Sequence, residues 1–153
     1  MEDCNPHFRR MNVPCFTQGS WYDYMNRGSV GSFIGRQHSG GPNSVGQQKL
    51  LIGPWLHGPQ VSKVGELQYP SSCDWDITAS MLSWFGHHLK GEETDAMTQP
   101  TVQYFNMGAC GEEGAPGNEW RTADDFPLAT AVDTACQHHC RLSCLLLPLD
   151  PSC

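Results

Sequence analysis

Ten residues limit what this chain can fold into more than any others: Lys49-Leu50-Leu51-Ile52-Gly53-Pro54-Trp55-Leu56-His57-Gly58. Leu50 to Ile52 offer no polar face, so a strand built from them needs cover on both sides. Pro54 ends that strand, because proline has no N–H to give to a ladder. His57 is thereby delivered into the loop beyond. A second stretch has the same build, Val13-Pro14-Cys15-Phe16-Thr17-Gln18-Gly19-Ser20-Trp21-Tyr22-Asp23, and it ends on a carboxylate. Two such strands joined by a helical crossover make a βαβ unit, hence a parallel pair. Their C-terminal ends share one edge of the sheet, where open α/β sheets bind ligands. Asp23 and His57 both fall just past that edge.

The segments between follow the same pattern. Val13 to Thr17 is expected as the first strand. From Tyr24 to Gln37, Val30, Phe33 and Ile34 recur at helical spacing, although Gly28, Gly31 and Gly35 each cost about 1 kcal/mol relative to Ala. A short helix is expected there, then a loop over His38 to Gln48, rich in Gly, Ser, Asn and Pro. Pro59 to Pro70 is an excursion. The strongest helix signal runs from about Asp74 to Lys90, with Ile77, Met81, Phe85 and Leu89 four apart and Leu82 and Trp84 widening the stripe. Ser71 to Asp74 supply capping residues, and Lys90 with Gly91 mark the stop. A domain boundary is expected in the polar stretch Glu92 to Gln99. Thr101 to Met107, a Gly-rich turn and Glu119-Trp120-Arg121 then look like the opening of an antiparallel β domain. The expected divisions are 1–12, a loop or remnant; 13–97, an α/β unit; 98–131, a β unit; and 132–153, an unassigned tail.

Composition narrows the partners. The chain has 153 residues and a formal charge of −7, which argues against a nucleic-acid partner, since phosphate recognition needs a basic patch. No apolar run is long enough for a membrane span. Met1 to Pro6 show no basic or apolar signal region, which favours a cytoplasmic setting with reduced thiols over a secreted one. Four of the eight cysteines, Cys136, Cys140, Cys144 and Cys153, lie in the last 18 residues. Cys136-Gln137-His138-His139-Cys140 could present soft ligands on one helical face, but the spacing matches no common zinc motif, and no metal is expected. His87 and His88 are adjacent, so on a helix they point about 100° apart and do not chelate one ion.

A carboxylate and an imidazole after neighbouring strands are the rear two members of a hydrolytic triad. The imidazole takes the nucleophile's proton, and the carboxylate holds its tautomer. In α/β-hydrolases the chain order is Ser, Asp or Glu, then His, each on a loop after a strand. The ordinary alternative is a helix-capping Asp and a surface His.

The flanking residues add to this. Gly19-Ser20-Trp21-Tyr22-Asp23-Tyr24 and Ile52-Gly53-Pro54-Trp55-Leu56-His57-Gly58 resemble the Asp and His motifs of the X-Pro dipeptidyl-peptidase/cocaine-esterase group of α/β-hydrolases. Ser20 stands where that group more often has a second Gly. The helix end His87-His88-Leu89-Lys90-Gly91, and Thr101 to Gly108 followed by Trp120-Arg121, are similar to later parts of the same group. The resemblance covers about residues 12–128. It implies the last βαβα portion of an α/β-hydrolase sheet followed by the opening strands of a truncated jelly-roll domain. It also implies Asp23 and His57 in triad roles, with no cofactor. Trp21, Tyr22 and Trp55 either line a substrate pocket or pack the strand ends.

The front of the triad is missing. No Gly-x-Ser-x-Gly occurs; the nearest stretches, around Ser39 and Ser44, lack the first Gly and lie between Asp and His, in the wrong order. The oxyanion-hole tyrosine of the group has no matching position. The reading is therefore a serine hydrolase acting on a small ester, amide or peptide, whose nucleophile lies in a missing N-terminal part, or else a non-catalytic binding or assembly fragment with vestigial triad residues. Either invites an oligomer or a complementary segment as partner.

Overall fold

The computed structural model describes residues 5–112 and 116–129, together with the backbone of two short paired strands, β7 (Val132–Thr134) and β8 (Cys144–Leu146). The stretch Cys136 to Cys140, weighed above as a metal site, lies outside the described residues. After a single turn, α1 (Asn5–Phe8), the chain enters β1 (Cys15–Ser20). It crosses over through α2 (Asn26–Ser39) and returns as β2 (Gln48–Gly53). The pair is parallel, in register from Cys15 opposite Gln48 to Ser20 opposite Gly53. Every residue of β2 is buried, as its lack of a polar face demands.

The crossover helix forms in spite of its glycines because its apolar positions have a destination. Phe33 is fully buried in a core with Leu50, Ile52, Val102, Tyr104 and Phe126, and Val30, Ile34 and Trp21 pack against it. The expected first strand lies two to three residues later than Val13 to Thr17, and Val13 is exposed. Pro14 stops the ladder at that end.

The excursion after β2 holds a two-residue antiparallel ribbon, β3 (Lys63–Val64) with β4 (Leu67–Gln68). A tight turn follows at Ser71–Cys73, then α3 (Ile77–Phe85). Its cap is Asp76, whose Oδ1 accepts from the Ala79 amide at 3.0 Å, two residues beyond the expected capping stretch. A wider π-helical turn, Gly86–Lys90, extends α3 and closes on Gly91 at φ 70°, the left-handed stop that Gly91 predicted. The expected apolar stripe is not core-facing: Met81, Leu82, Phe85 and Leu89 are all exposed, and Trp84 is the side chain the helix buries.

The boundary expected at Glu92 to Gln99 does not separate two sheets. β5 (Val102–Asn106) pairs in parallel with β2, Leu50 opposite Val102, and β6 (Glu119–Ala123) pairs antiparallel with β5. The result is one mixed four-stranded sheet in the order β1-β2-β5-β6. Within 98–131, β5 and β6 are antiparallel, while β5 joins β2 in parallel, a pairing the expected division did not include. Lys49 ties this seam together. Its Nζ donates to the carbonyls of Met97 and Gln99, and burial lowers its pKa. On the other face Val64, Tyr69, Cys73 and Phe105 form a second core under Trp120.

Gly53 is required by its neighbour. The Trp55 ring folds back over it, so an added Cβ would sit 2.4 Å from ring carbons. That ring has nowhere to go: it is fully buried, its Nε1 donates to the Cys73 carbonyl at 2.9 Å, and it lies 5.9 Å from the Trp120 ring. We expect Gly53→Ala to cost about 1–3 kcal/mol through overpacking. Urea unfolding should show a lower midpoint at unchanged slope; an unchanged midpoint would mean that the Trp55 ring is free to yield.

Candidate active site

Two short loops leave the C-terminal rim of the sheet side by side. Because Ser20 and Gly53 are in register, Asp23 and His57 start from the same level, three and four residues past their strands. Backbone bonds then join the loops: Trp21 N–H donates to the Gly53 carbonyl at 2.9 Å and Tyr22 N–H to the Trp55 carbonyl at 3.2 Å. Asp23 N–H turns back to the Ser20 carbonyl at 3.0 Å, which lifts the carboxylate toward the neighbouring loop.

The outcome is a direct pair. His57 Nδ1 lies 2.9 Å from Asp23 Oδ2. The second carboxylate oxygen accepts the Met25 amide at 2.8 Å, so both oxygens are engaged. The Met25 amide, ahead of the His57 ring, holds the Asp23 carboxyl below the usual carboxylate range. The carboxylate is largely covered while the imidazole is open, at 13% and 61% side-chain exposure, so the pair is braced from below and accessible from above. With Nδ1 committed to the carboxylate, Nε2 is the nitrogen left for proton exchange, the tautomer a general base needs. The Tyr24 ring lies 5.7 Å from the imidazole, a contact that the sequence reading missed.

The three candidate pocket residues divide. Trp55 is core, so the pocket-wall reading of it gives way to packing. Trp21 is half-buried and donates Nε1 to the Phe105 carbonyl at 2.7 Å, fixing the first loop to β5. Tyr22 is exposed, with its hydroxyl 2.7 Å from that of Tyr69. Burial, ahead of the Tyr22 hydroxyl, raises the Tyr69 pKa.

No described nucleophile meets the imidazole. Ser44, one of the two serines nearest to an elbow motif, is fully buried; its Oγ donates to the Arg36 carbonyl and accepts Gln48 Nε2 at 3.0 Å. It precedes β2 whereas His57 follows it, a strand length of roughly 20 Å away. Ser39 ends α2 at that same lower edge. Cys73 is fully buried and its thiol is pushed up to about 11 by burial and by Asp74, the profile of an inert cysteine. His88 packs on the Trp84 ring at 4.2 Å, and burial, then His87, lowers its pKa. No cluster of three metal-ligating side chains occurs among the described residues.

Comparison with known proteins gives these observations a context. No family model matches the chain. It is 34% identical over 80 residues to a protein named "Putative serine esterase" from Mycobacterium tuberculosis, covering 51% of this chain and 11% of that one. It is 27% identical over 126 residues to the cocaine esterase of a Rhodococcus species, covering 80% of this chain and 19% of the esterase. The chain thus spans between a tenth and a fifth of the length of these relatives. In structure it is similar to a CocE/NonD family hydrolase from Staphylococcus aureus, with a TM-score of 0.55 at 21% identity, covering 83% of this chain and 19% of the hydrolase. That likeness supports an α/β fold for the mixed sheet and its helices. In sequence the chain is similar to these esterases, and in fold to a CocE/NonD family hydrolase, in keeping with the resemblance of its Asp23 and His57 segments.

Proposed function

We propose that this chain is the acid–base part of a serine hydrolase that cleaves an ester or amide, an X-Pro peptide included, by acyl transfer. The observation that carries the reading is the 2.9 Å contact between His57 Nδ1 and Asp23 Oδ2 at the ends of adjacent parallel strands. In the first half-reaction a serine oxygen from sequence outside these residues attacks the substrate carbonyl carbon. His57 Nε2 takes the serine proton and passes it to the leaving alcohol or amine. In the second, water gives a proton to the same nitrogen as its oxygen bonds the acyl carbon; the proton then passes to the departing serine oxygen and the acid is released. Asp23 holds the ring tautomer and faces the imidazolium charge as it forms. The donors for the developing oxyanion come from the part that carries the serine.

Exposure of His57 supports a site completed from above, since a finished hydrolase excludes water from its base. By itself the chain is expected to take no fluorophosphonate label on any serine; a labelled serine here would show that the nucleophile is within this sequence. The direct test is a chimera in which this chain replaces the aligned stretch of the Rhodococcus cocaine esterase. It is expected to hydrolyse a p-nitrophenyl ester, with His57→Ala lowering kcat by about 10⁶-fold and Asp23→Asn by about 10⁴-fold. Hydrolysis that survives His57→Ala would remove the triad reading.

The pair also predicts a pH response. Asp23 has a folded pKa below its unfolded one, so its contribution is present above the unfolded value and is lost as pH falls through the folded value. The downfield proton resonance of the Nδ1–H bridge should therefore persist through the normal carboxylate titration range and disappear only below it. It should be missing at every pH in Asp23→Asn.

A further inference from the structure

A cavity of about 250 Å³ lies between α3 and the sheet, at the end of β2 away from Asp23 and His57. Its place follows from the strands. Lys49 is the second residue of β2 and Phe16 the second of β1, and both line it, whereas Asp23 and His57 follow the far ends of those strands. Lys49 and Gly53 are about 13 Å apart at the rise of a strand, so the cavity is separate from the rim. Its volume falls below the roughly 300–1,000 Å³ of sites for drug-sized ligands, which suits a smaller molecule.

Apolar walls and two opposite charges meet in it. Phe16 and Trp84, whose rings lie 6.1 Å apart, and Trp75 supply aromatic surface. Lys49 is 8% exposed, and no ion pair among the described residues includes it. Its Nζ has three N–H donors and gives two of them to the Met97 and Gln99 carbonyls, so one is left. Burial lowers its pKa, the direction of a cation short of an opposing charge. Asp95 stands at the exposed side of the same cavity. Its Oδ1 accepts from Ser83 Oγ and its Oδ2 from Gln99 Nε2 at 2.8 Å. These bonds, Ser83 first, hold its carboxyl below the usual carboxylate range. A carboxylate has about four acceptor sites, so Asp95 also keeps unused capacity. Gln99 touches both groups, its carbonyl taking Lys49 and its side-chain amide Asp95, which holds the two charges near one another without pairing them.

A molecule with a single charge meets a like charge here as well as an opposite one. A plain carboxylate faces Asp95, and a plain amine faces Lys49. A zwitterion satisfies both. We infer that this cavity binds a small zwitterion, an α-amino acid with an apolar side chain. Its carboxylate takes the remaining N–H of Lys49, its ammonium donates to Asp95, and its side chain lies against Phe16, Trp75 and Trp84. The inference is independent of the hydrolase reading, because neither Asp23 nor His57 lines the cavity. An occupant would join α3, the segment 95–100 and the foot of β2, the seam along which β5 enters the sheet, and so stabilise the folded chain.

The test uses the full 153-residue chain with L-phenylalanine as the probe, and with hydrocinnamate and phenethylamine, each of which lacks one of its two charges. Titration followed by tryptophan fluorescence is expected to saturate with L-phenylalanine, which should also raise Tm. Either analogue should bind about tenfold more weakly. The backbone amides that shift on binding should fall within residues 79–84 and 95–103. Asp95→Asn, at an exposed position, should weaken L-phenylalanine by about tenfold and bring hydrocinnamate level with it. Lys49→Met should do the same for phenethylamine; where loss of its seam contacts prevents folding, Asp95→Asn decides alone. No saturation with L-phenylalanine overturns the inference. So does equal affinity for the three compounds, affinity unchanged by Asp95→Asn, or amide shifts at Asp23 and His57 in place of those expected.

Discussion

The parallel register between β1 and β2 is the constraint on which the rest of this structure depends. Ser20 opposite Gly53 sets two loops off from one level, and the Trp21–Gly53 and Tyr22–Trp55 backbone bonds keep them together beyond the ladder. A slip of one residue would turn each strand's faces over and displace one loop by about 3.3 Å. Such a displacement exceeds what a 2.9 Å hydrogen bond between Asp23 and His57 tolerates. The register is itself held by burial. Leu50 and Ile52 meet Phe33 on one face, and a one-residue shift of β1 would pull Gly19 and Trp21 off their contacts with Ile52 and Gly53.

The site combines a firm base with an open top. Asp23 has both oxygens engaged and little exposure, so its carboxylate is held in place by the fold. His57 stands in solvent, tethered through Nδ1 and flanked by the still more exposed Tyr24. Lys49 anchors the foot of β2, Cys73 is sealed in a core, and the Tyr69 hydroxyl is hydrogen-bonded to that of Tyr22.

Much of this was legible in the residues, and the reasons differ from element to element. β2 was legible because Leu50 to Ile52 have no wet side and Pro54 can only end a strand. The Asp–His juxtaposition followed from the topology, since a right-handed crossover brings both strand ends to one rim. The first strand was read too early because Val13 has a high strand propensity while Gly19 and Ser20 do not; their pairing with Ile52 and Gly53 overrides that preference. The periodicity of α3 gave a face correctly but could not say what covers it, and Met81 and Phe85 are uncovered here. β5 was read as the start of something new because a break in composition at Glu92 to Gln99 looks the same whether the chain leaves the sheet or returns to it. The Lys49 contacts with the Met97 and Gln99 carbonyls, between residues some fifty positions apart, carry no local signal. The Tyr24–His57 contact was equally silent, because adjacency to Asp23 in sequence does not fix where a ring turns.

The tryptophan behind the histidine loop links parts of the molecule that share no sequence neighbourhood. Trp55 is clasped by the Cys73 carbonyl and faced by Trp120, which itself touches Trp75 and donates to the Ser72 carbonyl. The loop that presents the imidazole is therefore mortared to the far strand of the sheet through three indoles. Its aim is a property of residues 72 to 120 as much as of the segment it belongs to, so evolutionary drift in that distant strand would be felt first as a mis-pointed imidazole.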